Sequence, residues 1–432
     1  MSDCDVWYHL FPLGFLEAEE ANPDPGGEHR AVTHRLPALV GWLDYLVGLG
    51  VTGVLLGPVF ESETHGYDTV DPLRVDRRLG DEADLVALFE ECHRRSLKVG
   101  LDAVLHHVGR RHPHFQDVLA RGEQSAFRDW FEIDFGRPGH DGFAYTNFEG
   151  HGQLVKLNHA NPLVLDWAVD FANYWTQRGV DAYRLDAAYA LPVDFVAAFA
   201  ERVRAARPDL FLVGEVIHGD YSQIAQDARL ESVTQYELWK AMWSSLNDGN
   251  FFELAHALER QAGFCERFTP WTFVGNHDTT RIATRLDDKR HLDLALALLF
   301  TLPGVPAVYA GDEQAARGRK FDRPGGDARI RRPPPEAPGQ LSGERLASYL
   351  RHQELIAARR QRPWLAEGEV RVVGLENRLM TYEVRNDGAS VFVALSTEDH
   401  PVSLQLPPGL NHAAGHGDSH LPPHGWGVWA SE

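Results

Sequence analysis

The sequence predicts an α/β fold: a (β/α)8 TIM barrel with a subdomain inserted after its third strand and an all-β domain at the C-terminus. Three observations point there. Short apolar runs alternate with longer amphipathic stretches, the pattern of βαβ units around a parallel sheet. The interval from Val108 to about Asn158 is too long for a simple loop between such units. Beyond about Trp364 the pattern changes to alternating strands punctuated by turn residues.

In chain order the strands are DVWYHLF (5–11), TGVLLGP (52–58), KVGLDAVL (98–105), VDAYRLD (180–186), LFLVGE (210–215), SVTQY (232–236), WTFVGN (271–276) and GVPAVYA (304–310). Between them, stretches such as EADLVALFEECHRR (82–95) and DFVAAFAERVRAA (194–206) read as helices. Eight strand–helix units suit a barrel, although a doubly wound sheet uses similar elements and the count alone does not choose. The interval 108–158 is rich in aromatic residues, Gly and Asp, and loops of that length are usually functional. RPPPEAPGQ (332–340) is a Pro-rich loop that cannot continue a helix. The last strands, VRVVGL, LMTYEV, ASVFVAL and VSLQL, alternate with turn residues such as Asn386-Asp387-Gly388. The expected domains are a barrel over 1–107 and 159–363, an insertion over 108–158, and a β-sandwich over 364–432.

A chain of 432 residues exceeds what one hydrophobic core serves, which agrees with several domains. Its net charge of -20 argues against phosphate-backbone binding, which needs clustered Lys and Arg, so nucleic acid is not an expected partner. A neutral sugar is not disfavoured. Cys4, Cys92 and Cys265 are too few and too scattered for a disulfide framework. The opening MSDCDVWYHLFPLGF has neither the basic n-region nor the long apolar h-region of a signal peptide. No stretch approaches the ~20 apolar residues of a membrane span. The expected location is the cytoplasm, with no membrane partner.

In a barrel of this kind function sits at the C-terminal ends of the strands. There the sequence places His65, Tyr67 and Asp68, then Asp102 to His107, then Arg184 and Asp186, Glu215, and finally Asn276-His277-Asp278. Retaining glycoside hydrolysis needs one carboxylate as nucleophile and one carboxylic acid as proton donor, about 5–5.5 Å apart. Acids on neighbouring strands can supply that spacing, as Asp186 and Glu215 would. Arg184 and Asp186, two apart on a strand, face the same side, so the guanidinium would keep Asp186 ionised. Glu215 has the opposite need, surroundings that favour the neutral acid. Taken singly, each residue reads more readily as a helix cap, a structural ion pair or a loop hydrogen bond than as a catalytic group. The joint pattern argues for chemistry.

GLDAVLHHVGRRHPHF (100–115) carries four histidines within nine positions. Adjacent on a strand, His106 and His107 would point to opposite faces and would not chelate one metal together. His112 and His114 fall beside Arg110 and Arg111, whose charges oppose a cation. No metal site is expected, and apart from His107 these histidines read as ordinary polar groups.

These residues resemble the motifs of the α-amylase superfamily of glycoside hydrolases, over nearly the whole chain. DAVLHH (102–107), GVDAYRLDAA (179–188), FLVGE (211–215) and FVGNHD (273–278) are similar to its four main motifs, in order. LVKLN (154–158) resembles the short motif near the end of the inserted domain, and FPLGF, HGYD (65–68) and PGVPAVYAGDE (303–313) also match. The resemblance implies Asp186 as nucleophile, Glu215 as general acid/base and Asp278 as transition-state stabiliser. It implies a substrate-binding set of Tyr67, Asp68, His107, Arg184, Tyr189, His218, His277 and Arg281. GRRHPHFQDVLARGEQSAFRDWFEI (109–133) and GEVIHGD (214–220) are most similar to the cyclomaltodextrinase, neopullulanase and maltogenic amylase group.

The chain departs from that pattern in three places. His106 stands where the family often has an Asn that helps bind structural calcium, and an imidazole is a poorer calcium ligand than an amide oxygen. No cofactor is therefore expected to be required, and calcium is disfavoured there. Tyr189 and Ala190 occupy positions where starch-cleaving amylases often carry Lys-His, which weakens an endo-acting starch reading. The sequence starts almost directly at barrel strand one, without the N-terminal domain that supports dimerisation in that group, so a homodimer is left open.

The leading expectation is a retaining hydrolase of small linear or cyclic malto-oligosaccharides, including cyclic tetrasaccharides such as cyclic maltosyl-maltose. The alternative is an α-glucosyl transferase or isomerase, trehalose-forming relatives among them, using the same carboxylates. A non-catalytic sugar- or protein-binding relative is the third reading, disfavoured because all three acids are present.

Overall fold

Runs such as Val54-Leu55-Leu56 and Leu210 to Val213 have no polar face, so they are stable only where both sides of a strand are covered. The computed structural model, which describes residues 5–22, 24–27, 31–323 and 325–431, buries them in that way. Eight short strands carry these runs: β1 (Trp7–Leu10), β2 (Gly53–Leu56), β3 (Lys98–Ala103), β4 (Ala182–Leu185), β5 (Phe211–Gly214), β6 (Ser232–Val233), β7 (Trp271–Phe273) and β8 (Val305–Tyr309). Each falls inside a run that the sequence marks as a strand. Cys4 lies outside the described residues, and Cys92 and Cys265 are free. Among the described residues no helix is long and apolar enough to cross a membrane.

The chain divides into two units, one of residues 10–43 and 54–231, the other of 5–9, 44–53 and 232–431. In the first, β4 pairs in parallel with β3 on one side and β5 on the other. The helices Glu82–Arg94, Pro162–Thr176 and Val193–Ala206 accompany these strands. Glu82–Arg94 starts at a capping box, in which the Asp81 side chain accepts from the Asp84 amide and Asp84 returns the bond. Its buried residues Leu85, Leu88, Phe89 and Cys92 lie at helical spacing along one stripe.

After β3 the chain enters the insertion. Strand His107–Gly109 pairs antiparallel with His151–Lys156, which pairs in turn with Asn147–Phe148. The last two strands are joined by Glu149 (φ 48°) and Gly150 (φ 84°), both left-handed, as a tight two-residue hairpin turn requires. In the loop after β2, Gly66 has φ 92°, and a Cβ there would lie 2.5 Å from Pro58 Cβ. Glycine is thus obligatory at the bend that presents His65, Tyr67 and Asp68.

In the second unit β8 pairs in parallel with β1 and β7, and a parallel bridge joins Thr234 to Trp271. The described residues of 317–340 contain no helix or strand, in agreement with the Pro-rich loop. The C-terminal strands β9 (Glu369–Leu375), β10 (Leu379–Asn386), β11 (Ala389–Ser396), β12 (Asn411–Gly415) and β13 (Trp426–Ala430) form an antiparallel sheet ordered β9-β10-β11-β13-β12. Asp387 (φ 44°) and Gly388 (φ 88°) make the turn between β10 and β11. VSLQL (402–406) contributes only the two-residue strand Val402–Ser403, which pairs with His420–Leu421 outside that sheet. The core beside it contains Phe392, Leu421 and Trp429, with Leu404 and Leu406 packed on them.

Two buried acids, Asp312 and Glu313, follow β8. Glu313 Oε1 accepts from the hydroxyls of Tyr8 (3.1 Å) and Tyr45 (2.9 Å), and Oε2 accepts from the Gly311 amide (2.8 Å). Burial outweighs these donors and pushes its pKa up to about 7 from 4.5. The folded chain therefore binds this proton more tightly than the unfolded chain does. The group's contribution to stability is present below pH 4.5 and is lost as pH rises through about 7. Glu313→Gln has no such titration. Relative to wild type, its urea unfolding free energy is expected to improve by up to about 3 kcal/mol between pH 4.5 and pH 8. A pH-independent difference between the two proteins would show that Glu313 does not titrate there.

Candidate active site

Strand register brings the first group of polar side chains together. In the parallel pairing of β4 with β3, Arg184 stands opposite Asp102, and in the pairing with β5 it stands opposite Val213. Arg184 Nη1 donates to both Asp102 oxygens, at 2.7 and 2.8 Å. The same nitrogen lies 3.4 Å from Asp186 Oδ1, while Nη2 lies 2.7 Å from Glu215 Oε1. Tyr67 adds its hydroxyl to Asp102 at 3.0 Å, and the Ala187 amide donates to Glu215 Oε2 at 2.9 Å. Arg184, Asp186 and Glu215 are all more than nine-tenths buried. Burial alone would lower the pKa of Arg184, but Asp102, Glu215, Tyr67 and Asp186 together hold it well above its ordinary value.

The guanidinium is thus shared differently from the sequence expectation. It grips Asp102 and Glu215 more closely than Asp186. Both Glu215 oxygens meet donors, Oε1 the Arg184 guanidinium and Oε2 the Ala187 amide.

The remaining candidates of this unit surround that cluster in different ways. Asp68 is buried and accepts from Thr64 Oγ1 at 2.6 Å. His107 lies under Phe148, ring centroids 4.9 Å apart and nearly parallel, and its Nε2 is buried without a hydrogen-bond partner. Tyr189 donates to Glu149 Oε1 at 2.7 Å, and its ring lies 4.9 Å from that of His218, which is exposed.

The expectation that His106 and His107 diverge does not hold. Their Nδ1 atoms lie 3.2 Å apart. The chain leaves β3 at Ala103 and re-enters a strand only at His107, so strand alternation does not govern the pair. Burial, reinforced by each pair's neighbouring cations or imidazoles, pushes His106 down to about 4 and His107 to about 3. Both are neutral at pH 7, one nitrogen of the contact donating and the other accepting. His112 caps helix Pro113–Arg121 by accepting from the His114 amide, and His114 stacks on Phe127 at 3.8 Å. These two are structural.

In the other unit the loop after β7 holds His277 and Asp278. His277 is fully buried, with Nε2 2.9 Å from Asp278 Oδ2. Arg331 Nη2 donates to Asp278 Oδ1 at 2.9 Å, and its Nε donates to the His277 carbonyl at 3.1 Å. Arg281 is enclosed. Its Nη1 donates to Ala310 O (2.6 Å) and Asp312 Oδ1 (3.0 Å), and its guanidinium lies over Tyr309. That commits it to bracing the loop after β8. Asp102 was expected as a strand-end residue but given no role, which its register with Arg184 could have signalled, whereas Arg331, absent from the expected set, lies in an aperiodic loop without a motif.

Two groups among the described residues could offer three ligand atoms to a metal ion, Asp288 with His291 and His424, and His34 with Asp81 and Asp84. Neither includes a residue of the clusters above. Their carboxylates are engaged already, Asp288 by Arg290 and Asp84 by His34 and the Asp81 amide.

The family described as "Alpha amylase, catalytic domain" matches residues 33–360. The chain belongs to the α-amylase family. A cyclomaltodextrinase of Geobacillus thermopakistaniensis (strain MAS1) is 29 % identical over 431 residues, covering 93 % of this chain and 70 % of that protein. A maltogenic alpha-amylase of Bacillus acidopullulyticus is 30 % identical over 429 residues, with the same coverage, 93 % and 70 %. Among solved structures, a ligand-free cyclic alpha-maltosyl-(1→6)-maltose hydrolase from Arthrobacter globiformis superposes with a TM-score of 0.82 at 26 % identity. It covers 100 % of this chain and 99 % of its own. The fold is the family's (β/α)8 barrel with an insertion after β3 and an antiparallel C-terminal sheet, and the chain is a glycoside hydrolase of this family.

Removing the shared cation tests how much the buried cluster depends on it. Arg184→Leu leaves Asp102 and Glu215 as buried carboxylates without a counter-ion and is expected to cost about 3–5 kcal/mol. Urea denaturation at pH 7 measures this; an unchanged midpoint would mean the cluster is neutralised by other means.

Proposed function

We propose that this protein hydrolyses α-glucosidic bonds in small linear or cyclic malto-oligosaccharides with retention of anomeric configuration. The observation that carries the reading is the single buried guanidinium of Arg184, which reaches both Asp186 and Glu215. Two acids held by one cation at the ends of adjacent parallel strands suit double displacement. The names of the relatives, cyclomaltodextrinase, maltogenic amylase and cyclic maltosyl-maltose hydrolase, support the substrate class.

In the first step an Asp186 oxygen attacks the anomeric carbon while Glu215 gives its proton to the departing glycosidic oxygen. In the second, water attacks the glycosyl ester, Glu215 takes the water's proton, and Asp186 leaves as carboxylate. Asp186 is the carboxylate that Arg184 approaches least closely, at 3.4 Å against 2.7 Å for Asp102 and for Glu215. Neutral His107, with a buried nitrogen unsatisfied, is assigned to a sugar hydroxyl, and Tyr67 is assigned to the same sugar. Asp278, bracketed by His277 and Arg331, is assigned to hydroxyls that carry charge in the transition state. The location that goes with this reading is the cytoplasm, and light scattering would decide whether the chain pairs as a homodimer.

Asp186→Asn is expected to fold normally and lose nearly all turnover. Glu215→Gln should lose about 10²–10⁴-fold. An NMR time course on maltotriose, maltohexaose, cyclodextrins and cyclic tetrasaccharides reads both rate and product anomer. An α-anomer appearing first supports retention; a β-anomer first, or full activity in Asp186→Asn, would overturn the reading.

A further inference from the structure

Glu149 lies outside every family motif matched in the sequence. It occupies the first position of the two-residue turn between Asn147–Phe148 and His151–Lys156, in the left-handed region with φ 48°. A carboxylate side chain has no local reason to be there, since Asn or Gly fits such a turn better. What it does is reach out of the insertion: Glu149 Oε1 accepts from the Tyr189 hydroxyl at 2.7 Å.

Tyr189 belongs to the loop after β4, three residues beyond Asp186. Its amide donates to the Glu215 carbonyl at 3.2 Å, and its ring lies against His218, three residues beyond Glu215. Burial, together with Glu149, Glu215 and Asp186, raises the pKa of the phenol, so it stays protonated and donates. Phe148, next to Glu149, stacks on His107 and faces Tyr189 at 6.5 Å. The hairpin tip therefore touches the sugar-binding histidine with one residue and the loop beside the acid/base with the next. The Glu149 residue is otherwise exposed.

We propose that Glu149 is a specificity-determining residue whose carboxylate, held in place by the Tyr189 hydroxyl, accepts hydrogen bonds from hydroxyl groups of the glucose unit on the leaving-group side. This rests on the hydrolytic reading above. The general acid must contact the leaving oxygen, so side chains on the loops that Glu215 and Ala187 tie together border the sugar that departs. An ionised carboxylate with spare lone pairs is a strong acceptor for paired sugar hydroxyls. Hydrogen bonds to a charged group at a half-wet rim correspond to about a tenfold preference.

The test compares two substrates that differ in what occupies the leaving-group side: maltohexaose, with sugar there, and 4-nitrophenyl α-maltoside, with an aryl group. In Glu149→Ala the ratio of kcat/KM for maltohexaose to that for the aryl maltoside is expected to fall about tenfold, the loss residing mainly in KM for maltohexaose. Tyr189→Phe, which removes the donor holding the carboxylate, should lower the same ratio and serves if the alanine variant does not fold. A ratio unchanged in both variants overturns the proposal, whether the two activities drop together or neither drops. Absence of maltohexaose hydrolysis by the unmodified protein would instead overturn the hydrolytic reading, and this one with it.

Discussion

One positive charge organises the buried carboxylates at the ends of β3, β4 and β5. Arg184 sits on β4 with Asp102 opposite it in register, and from there its two terminal nitrogens reach three acids. A lone carboxylate at that depth would be costly, and two or three of them would repel one another. The guanidinium is planar and always charged, so it can serve several acceptors without losing its proton. The cation is still outnumbered. Hydroxyl and amide donors from Tyr67 and Ala187 offset part of the excess.

The histidines add donors and acceptors to this unit rather than charge. Burial keeps His106 and His107 neutral, and their mutual contact fixes how each ring is turned. Phe148 closes over His107 from the insertion. The insertion thus supplies an apolar cover and a hydrogen-bond partner to loops whose chemistry comes from strands before and after it.

How much of this was visible beforehand depended on periodicity. The eight parallel strands were legible because they are apolar on both faces, a signal that survives without neighbours. Arg184 and Asp186 were legible as a pair because a two-residue separation on a strand fixes their side. The same rule failed at His106 and His107, where the strand had already ended. Glu215 was legible as a strand-end acid, but its donors were not: Ala187 contributes an amide, which no residue type advertises. VSLQL alternates like a strand of the main C-terminal sheet, yet it pairs elsewhere, because alternation does not name a partner. Arg331 lies in a loop with no period, and Arg281, a polar residue near a motif, turned inward to Asp312. Glu149 was hidden for a different reason: exposed turn residues carry no pattern, and only the fold shows which side chain they meet.

Ala187 adopts a left-handed conformation, φ 48° and ψ 38°, one residue after Asp186. For a residue with a Cβ this costs on the order of 1 kcal/mol, and the cost turns a peptide N–H toward Glu215. An amide of this kind has no conjugate base within reach of any buffer in which the chain folds. The donor that meets Glu215 is therefore itself insulated from the acidity of the medium, and swapping the Ala187 side chain would alter the strain while leaving that donor in place.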